Sequence, residues 1–129
     1  MTNEQLQQLR KALFLDISEV AEFVGKVSTR TWQRWEKGDL NVPDDVACEM
    51  IKLINIQDEA VNLVLKEEIE YCYYYYDYND FSDKFGKNKV KWRLYQSIIA
   101  RLYQIFGDSL SLKKAPENCN LYQYISNKL

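Results

Sequence analysis

Hydrophobic residues in the first part of the chain recur at spacings of three and four, which is the pattern of amphipathic helices. Thr2 with Gln5, and Asp16 with Glu19, have the capping-box spacing that begins a helix. Each pair precedes an apolar stripe, and the two stripes are Leu6, Leu9, Leu13 and Ile17, Val20, Ala21, Val24. Gly25 is predicted to end the second helix in a left-handed conformation. The pattern therefore predicts two short helices before residue 26.

A third short helix is predicted between Ser28, as its N-cap, and Gly38, as its C-terminal stop. At about 100° per residue, Trp32 and Trp35 lie about 60° apart on one side of this helix. The opposite side carries the polar stripe Arg30, Gln33, Arg34 and Lys37. We expect the tryptophans to be buried and the polar stripe to be free, either to contact another molecule or simply to be solvated. Two short helices joined by a tight turn are the helix-turn-helix pattern.

The second half of the chain has a different pattern. Residues 56–70 are predicted to form a separate helix, and the tyrosine-rich run 71–81 is predicted to form a strand that pairs with residues 109–114. Residues 90–106 read as a long helix with apolar residues around most of its circumference, so it must be buried on more than one side. A dimer interface is the simplest way to bury it. The interface residues predicted on this basis are Tyr73, Tyr75, Trp92, Tyr95, Ile99 and Leu102. The last twelve residues fit a short helix or an extended tail.

Charge is distributed unevenly along the chain. The formal net charge is −2, yet residues 84–107 contain no acidic side chain and six basic ones. These cations crowd the start of the long helix, where the helix dipole disfavours positive charge. A counter-anion, either an acidic partner surface or nucleic-acid phosphate, would relieve that cost, and the alternative is that the cations have only a structural role. The residues predicted for a second nucleic-acid contact are Lys87, Lys89, Lys91 and Arg93. An alternative combines these cations with the tyrosines as a surface for RNA or another single strand.

Composition argues against several classes of protein. The chain has no histidine, its three cysteines are widely spaced, and its four glycines form no phosphate-binding loop. We therefore predict no metal site, no cofactor and no enzymatic activity. The apolar runs are shorter than the roughly 18–20 residues that cross a membrane, and the N-terminus lacks a signal-peptide pattern. A cytoplasmic protein without membrane contact is expected.

Residues 17–38, "ISEVAEFVGKVSTRTWQRWEKG", resemble the Xre/Cro/phage-repressor helix-turn-helix family, which commonly shows L-A-x-x-x-G-V-S-x-x-x-I-x-x-W-E-x-G. The matching residues are Ala21, Gly25, Val27, Ser28, Trp35, Glu36 and Gly38. The sequence departs from this pattern at Lys26, an extra residue in the turn, and at Trp32, where Ile or Val is usual. Together with "KWRLYQSIIARLY" (residues 91–103), the chain is similar to the YdiL-like proteins and the related anti-CRISPR-associated autoregulators.

The resemblance implies a mainly α fold in two parts. Residues 1–55 would form a lambda-repressor-like helix-turn-helix bundle that binds DNA. Residues 56–129 would form a dimerisation region with a long helix and a small β element. The implied function is a homodimeric repressor, and by the same resemblance an autorepressor, that binds an inverted-repeat operator in double-stranded DNA. The competing interpretation is an antitoxin-like interaction protein that uses the same scaffold without binding DNA.

The resemblance also assigns roles along the third helix, which would lie in the major groove. The residues at base-reading positions are Thr29, Arg30, Gln33 and Arg34, and those near the DNA backbone are Ser28, Lys26 and Lys37. Arginine and glutamine suit base reading because they can pair with guanine and adenine edges through two hydrogen bonds. Glu36 is expected to be structural and to hold a loop or an arginine in place.

Overall fold

The computed structural model describes residues 1–66, 75–110 and 120–129, and over these residues the protein is helical, with no β-strand. The chain divides into two compact units, Met1–Asn55 and Ile56–Leu129. The helices are α1 (Asn3–Ala12), α2 (Ile17–Val20), α3 (Thr29–Lys37), α4 (Asp44–Leu65), α5 (Tyr78–Phe85), α6 (Lys89–Phe106) and α7 (Asn120–Lys128). A π-helical turn, Ala21–Gly25, follows α2, and a 3-10 turn, Gly107–Ser109, follows α6. The functions assigned above to residues 1–55 and 56–129 remain predictions.

Both predicted capping boxes are confirmed. The Thr2 hydroxyl accepts from the Gln5 backbone N–H at 3.1 Å, and the Gln5 side chain accepts from the Thr2 N–H at 2.9 Å. Asp16 and Glu19 make the same reciprocal pair at the start of α2. These bonds fix where two helices begin, because they satisfy backbone donors that have no partner within the helix.

The turn between α2 and α3 differs from the prediction. The left-handed residue is Lys26, at φ 54° and ψ 44°, and not Gly25, which lies at the end of the π-helical turn. The Ala21 carbonyl accepts from the backbone N–H groups of both Lys26 and Val27. Because a π turn holds one residue more than an α turn, it accommodates the extra residue of this connection.

Gly25 is required for a different reason, which is the close approach of α3. A Cβ atom at this position would lie 2.9 Å from Cε3 of Trp32, a ring that is fully buried. The ring of Trp35, 5% exposed, meets the Trp32 ring edge-on with centroids 5.4 Å apart. The two tryptophans therefore attach α3 to the first unit, as the angular pattern predicts, and Leu6, Val20 and Met50 complete the core around them.

A buried carboxylate links α1 to α3. Glu36 accepts hydrogen bonds from Arg10 Nε at 2.7 Å and from Arg10 Nη2 at 3.2 Å, and its Oε2 also accepts from Trp32 Nε1 at 2.5 Å. The Arg10 and Glu36 side chains are only 11% and 6% exposed. Arg10 Nη1 additionally donates to the Leu15 carbonyl at 3.1 Å. The expectation that Glu36 holds an arginine is confirmed, and we call this group the Arg10–Glu36–Trp32 clamp.

Helix α4 is continuous over Asp44–Leu65, so the separate helix predicted from Ile56 is wrong. Its residues up to Asn55 belong to the first unit, and those from Ile56 onward belong to the second. Val46, Met50 and Leu53 are buried, whereas Ile51 is 48% exposed, and Cys48 is also exposed. The continuity has a local cause, since neither glycine nor proline interrupts residues 44–65.

The strand prediction for residues 71–81 is wrong where it can be compared, because residues 78–81 belong to α5. Asp77 caps this helix by accepting from the Asn79 N–H at 3.0 Å, and Phe81 and Phe85 share one face at a spacing of four. Both phenylalanine rings contact Tyr75, with centroids 5.7 and 5.3 Å from it. Aromatic packing at helical spacing thus overrides strand propensity. Residues 71–74 and 111–114 of the two predicted strands lie outside the described residues, and residue 109 is in the 3-10 turn.

Helix α6 is buried on several sides, as predicted, and elements of the same chain cover it. The Gln57 side chain of α4 donates to Ser97 Oγ at 3.0 Å, and both residues are buried. Helix α7 contributes the buried Leu121 and Ile125, so the end of the chain is a helix and not an extended tail. Tyr122 of α7 stacks on Phe85 at 3.5 Å, which joins α7 to α5. The second unit is therefore a helical bundle around α6.

Replacing Lys26 by glycine is expected to stabilise the protein. A side chain in the left-handed region destabilises the folded state by about 1 kcal/mol or more. Replacing it by glycine recovers only part of this free energy, because glycine also gives the unfolded chain more conformational freedom. We expect Lys26→Gly to raise the free energy of unfolding by about 0.5 kcal/mol, measured by urea denaturation. Lys52→Gly, the same change at an exposed position inside α4, should lower it by about 1 kcal/mol. Equal destabilisation by both variants would contradict the left-handed assignment.

Removing the clamp carboxylate is expected to destabilise the protein strongly. Glu36→Ala leaves the buried Arg10 guanidinium without its anion, which typically costs about 3–5 kcal/mol in the free energy of unfolding. Replacing both partners, Arg10→Met with Glu36→Met, should recover most of this loss because no unpaired charge stays buried. The exposed Glu49→Ala serves as the control and should change stability by less than about 0.5 kcal/mol. A Glu36→Ala variant as stable as the control would overturn this account.

Candidate nucleic-acid interface

The outer face of α3 is polar and exposed. All seven residues assigned to DNA contact from the sequence are exposed, namely Lys26, Ser28, Thr29, Arg30, Gln33, Arg34 and Lys37. Trp32 and Trp35 on the same helix are buried, so the two faces are separated as the angular pattern predicts. The helix therefore presents one continuous polar face while its other face is anchored in the core.

Both ends of α3 are defined by specific contacts. The Ser28 hydroxyl oxygen accepts from the Thr31 N–H at 3.2 Å and lies 3.1 Å from the Thr31 hydroxyl. Gly38, at φ 87°, ends the helix, and its N–H donates to the carbonyls of Arg34 and Trp35. The Asn3 side chain donates to the Glu36 carbonyl at 3.2 Å and so ties the last turn to α1. With its ends and its inner face held, α3 presents its outer side chains from a rigid backbone.

The electrostatics of this face suit a polyanion. Arg30, Arg34 and Lys37 are exposed cations of α3, and Lys26 in the preceding turn adds a fourth. Glu36 is the one acidic residue of α3, and Arg10 neutralises it. Arginine can bind guanine or phosphate with two hydrogen bonds, and lysine binds phosphate as a point charge. The face can therefore hold phosphates and also read base edges.

A cleft of about 320 Å³ opens beside Gln33. Its lining residues come from three helices and are Gln7, Arg10, Ile17, Gln33, Glu36 and Lys37. The clamp residues Arg10 and Glu36 pair with each other there, and Lys37 adds an exposed cation. The cleft thus joins α1 to the polar face of α3.

The cations predicted for a second contact do not form one surface on α6. Lys89 and Arg93 are four residues apart and lie on one side of the helix, whereas Lys91 points about 160° away from both. Each cation lies near a different ring: Lys89 Nζ is 5.6 Å from the Tyr78 centroid, Lys91 Nζ is 5.9 Å from that of Tyr122, and Arg93 Cζ is 4.4 Å from that of Trp92. Lys87, which is exposed, precedes the helix. The predicted group is therefore divided between two sides of α6.

The residues predicted for a dimer interface are mostly in the core of a single chain. Tyr75, Trp92, Tyr95, Ile99 and Leu102 are each 8% exposed or less, and Tyr73 lies outside the described residues. They are covered within the chain because α5 and α7 pack around α6, which the local sequence pattern does not reveal. A dimer interface would have to use exposed side chains instead. Tyr76 is 82% exposed, Ile105 49% and Tyr103 44%.

The described residues contain neither a candidate metal site nor a candidate membrane-spanning helix. Over residues 1–66, 75–110 and 120–129, no group of three or more histidine, cysteine, aspartate or glutamate side chains could hold a metal ion. In the same ranges, no helix combines the length and hydropathy that crossing a membrane requires.

Sequence reasoning missed Arg10 and Gln7, although a signal for Arg10 is present. Arg10 lies four residues after Leu6 and three before Leu13, on the apolar side of α1, where an unpaired charge is costly. A buried arginine at such a position requires a carboxylate partner, and Glu36 provides it. Gln7 has no comparable signal, because its place in the cleft depends on how α1 packs against α3.

Comparison with known proteins gives the family. The model of the Aca2/YdiL-like family matches residues 1–111. The Aca2 repressor of Pectobacterium phage ZF40 is 41% identical over 108 residues, which cover 80% of this chain and 93% of that protein. The uncharacterized protein YdiL of Escherichia coli strain K12 is 24% identical over 111 residues, with the same shares covered. The resemblance to the YdiL-like and anti-CRISPR-associated autoregulators is thereby confirmed, and the chain belongs to the Aca2/YdiL-like family.

Proposed function

We propose that this protein is a transcriptional repressor that binds double-stranded DNA sequence-specifically. In this proposal α2, the π-helical turn and α3 form a helix-turn-helix, and α3 lies in the major groove. The observation that carries the proposal is the division of α3 into a clamped, tryptophan-anchored inner face and an exposed face with three cations and no free carboxylate. The similarity to a protein named as a repressor supports the same function.

The exposed residues of α3 take different roles in the proposed complex. Thr29, Arg30, Gln33 and Arg34 read base edges, since arginine matches guanine, glutamine matches adenine and threonine can contact a thymine methyl group. Lys26, Ser28 and Lys37 contact phosphates at the margins of the groove. Ser28 can accept from the Thr31 N–H and still donate its own proton to a phosphate oxygen. Phosphate contacts set the register of the helix, and base contacts supply specificity.

The repressor acts as a homodimer in this proposal. One α3 helix reads only a few base pairs, and two of them about 34–36 Å apart would read the halves of an inverted repeat. The second unit supplies the dimer contacts through exposed apolar side chains, among which Tyr103 and Ile105 lie near the end of α6. Autorepression extends the proposal to the protein's own promoter.

Two other functions remain as alternatives. An antitoxin-like interaction protein would use the same scaffold without DNA. RNA binding through the second unit would use Lys89 and Lys91, which lie near the rings of Tyr78 and Tyr122. Duplex binding is favoured because the face of α3 combines cations with side chains that can read bases, whereas the basic residues of α6 point to different sides.

Selection of random duplex DNA by the purified protein tests the proposal directly. An enriched inverted repeat is expected and would identify the operator. No enrichment by the wild-type protein would contradict the proposal. The same selection with single-stranded RNA, and with a Lys89→Ala, Lys91→Ala variant, would then test the RNA alternative.

Replacing either arginine of the exposed face is expected to weaken DNA binding. If Arg34 reads a base, Arg34→Ala should cost about 1–3 kcal/mol on the operator and relax the preference at one position in each half-site. Arg30→Ala should behave in the same way at a different position. Both effects can be measured as dissociation constants on the operator and on duplexes with single base-pair changes.

The salt dependence of binding provides a second measurement. The logarithm of the association constant should fall with the logarithm of salt concentration by about 0.9 for each phosphate neutralised, and Lys37→Ala should reduce that slope by about one unit. Lys52→Ala, at an exposed lysine of α4, is the control and should bind as the wild type does. If Arg30→Ala and Arg34→Ala also bind with wild-type strength, the assignment of α3 as the reading helix is wrong.

A further inference from the structure

The cleft beside α3 is lined by a second amide besides the glutamine that is proposed to read a base. Gln7 of α1 and Gln33 of α3 line the same 320 Å³ cleft. Gln33 is exposed, whereas Gln7 is only partly exposed. The two side chains come from different helices, so their place in one cleft is a product of the fold and not of sequence spacing.

The helix that carries Gln7 is fixed relative to α3. Arg10, one turn after Gln7, makes its two hydrogen bonds to Glu36, one turn after Gln33. Near the end of α3, Asn3 donates to the Glu36 carbonyl. The α1 backbone on either side of Gln7 is therefore tied to Glu36, one turn after Gln33, and the two amide side chains extend from helices whose relative position is fixed.

Glutamine needs orientation in order to read a base. To pair with adenine, its oxygen must accept from the N6 amino group while its nitrogen donates to N7. An exposed glutamine can present either atom and has several rotatable bonds, so an unrestrained side chain loses entropy on binding and discriminates weakly. A neighbouring amide carries both a donor and an acceptor and can hold the first amide in one orientation.

We propose that Gln7 is a positioning residue that sets the base preference of Gln33 through an amide–amide hydrogen bond within this cleft. This inference rests on the proposed DNA-binding function and specifies a determinant of its sequence preference. Lys37, at the same cleft, provides the charge for a phosphate, which leaves the neutral Gln7 for orientation. Gln7 acts on the base through Gln33.

The test compares dissociation constants of four proteins: wild type, Gln7→Ala, Gln33→Ala and the double variant. Each is measured on the selected operator and on duplexes changed at single base pairs. Gln7→Ala should weaken binding to the operator by about three- to tenfold and should not affect the duplex changed at the Gln33 position. In the Gln33→Ala background, loss of Gln7 should add less than about twofold, because the residue through which it acts is already gone.

Gln8→Ala is the matched control. Gln8 is the next residue of α1, is exposed, and lines a separate cavity with Thr2, Glu4, Gln5 and Leu9. This variant makes the same chemical change on the same helix and should leave every dissociation constant unchanged. Thermal unfolding should be similar for both glutamine variants, since alanine is favoured within a helix.

Four results would overturn the inference. An equal loss on all duplexes would make Gln7 a phosphate contact, because phosphate contacts carry no sequence preference. Additive effects of Gln7→Ala and Gln33→Ala, or a changed preference at a different base pair, would show that the two amides act independently. A Gln7→Ala variant that binds as the wild type does would exclude any role. Failure of the proposed function is distinct, because the wild-type protein would then select no operator.

Discussion

The first unit depends on one buried carboxylate. Glu36 accepts from the guanidinium of Arg10 and from the indole of Trp32, and it thereby connects a first-helix cation, the largest fully buried ring and the last turn of α3. Its low exposure makes these contacts strong and makes the loss of any partner costly. The orientation of the outer face of α3 is fixed because Glu36 attaches this helix to α1. The proposed reading of DNA therefore rests on an interaction that does not touch DNA.

The turn before α3 shows how the chain accommodates a departure from the helix-turn-helix pattern that its sequence resembles. The extra residue is absorbed within a π turn and a left-handed lysine, and α3 still begins at a regular Ser28 cap. Gly25 leaves room for the ring of Trp32, which stands where a smaller aliphatic residue is usual. The π-helical turn and the start of α3 thus accommodate both departures, at positions 26 and 32.

Much of the first unit follows from local signals, and the second unit does not. Caps at Thr2, Asp16 and Ser28, together with the angular separation of the tryptophans, are properties of neighbouring residues and can be read from the sequence. The helix at Tyr78–Phe85 and the covering of α6 depend on contacts between distant segments, such as the Tyr122 ring on Phe85. Because such contacts are not visible in the sequence, the apolarity of Tyr95 and Ile99 alone leads to their prediction as interface residues. In the candidate site, the exposed cations of α3 could be predicted from the sequence, and the position of Arg10 on the apolar side of α1 was a signal that it needs a partner. The place of Gln7 in the cleft depends on how α1 packs against α3.

The carbonyl of Ala21 accepts two backbone donors, from Lys26 and from Val27, and this has a dynamic consequence. A movement that withdraws this carbonyl removes the acceptor of both amides at once, so we expect the end of the second helix and the turn to exchange together in hydrogen exchange. The entry to α3 would then open and close as a whole instead of fraying residue by residue.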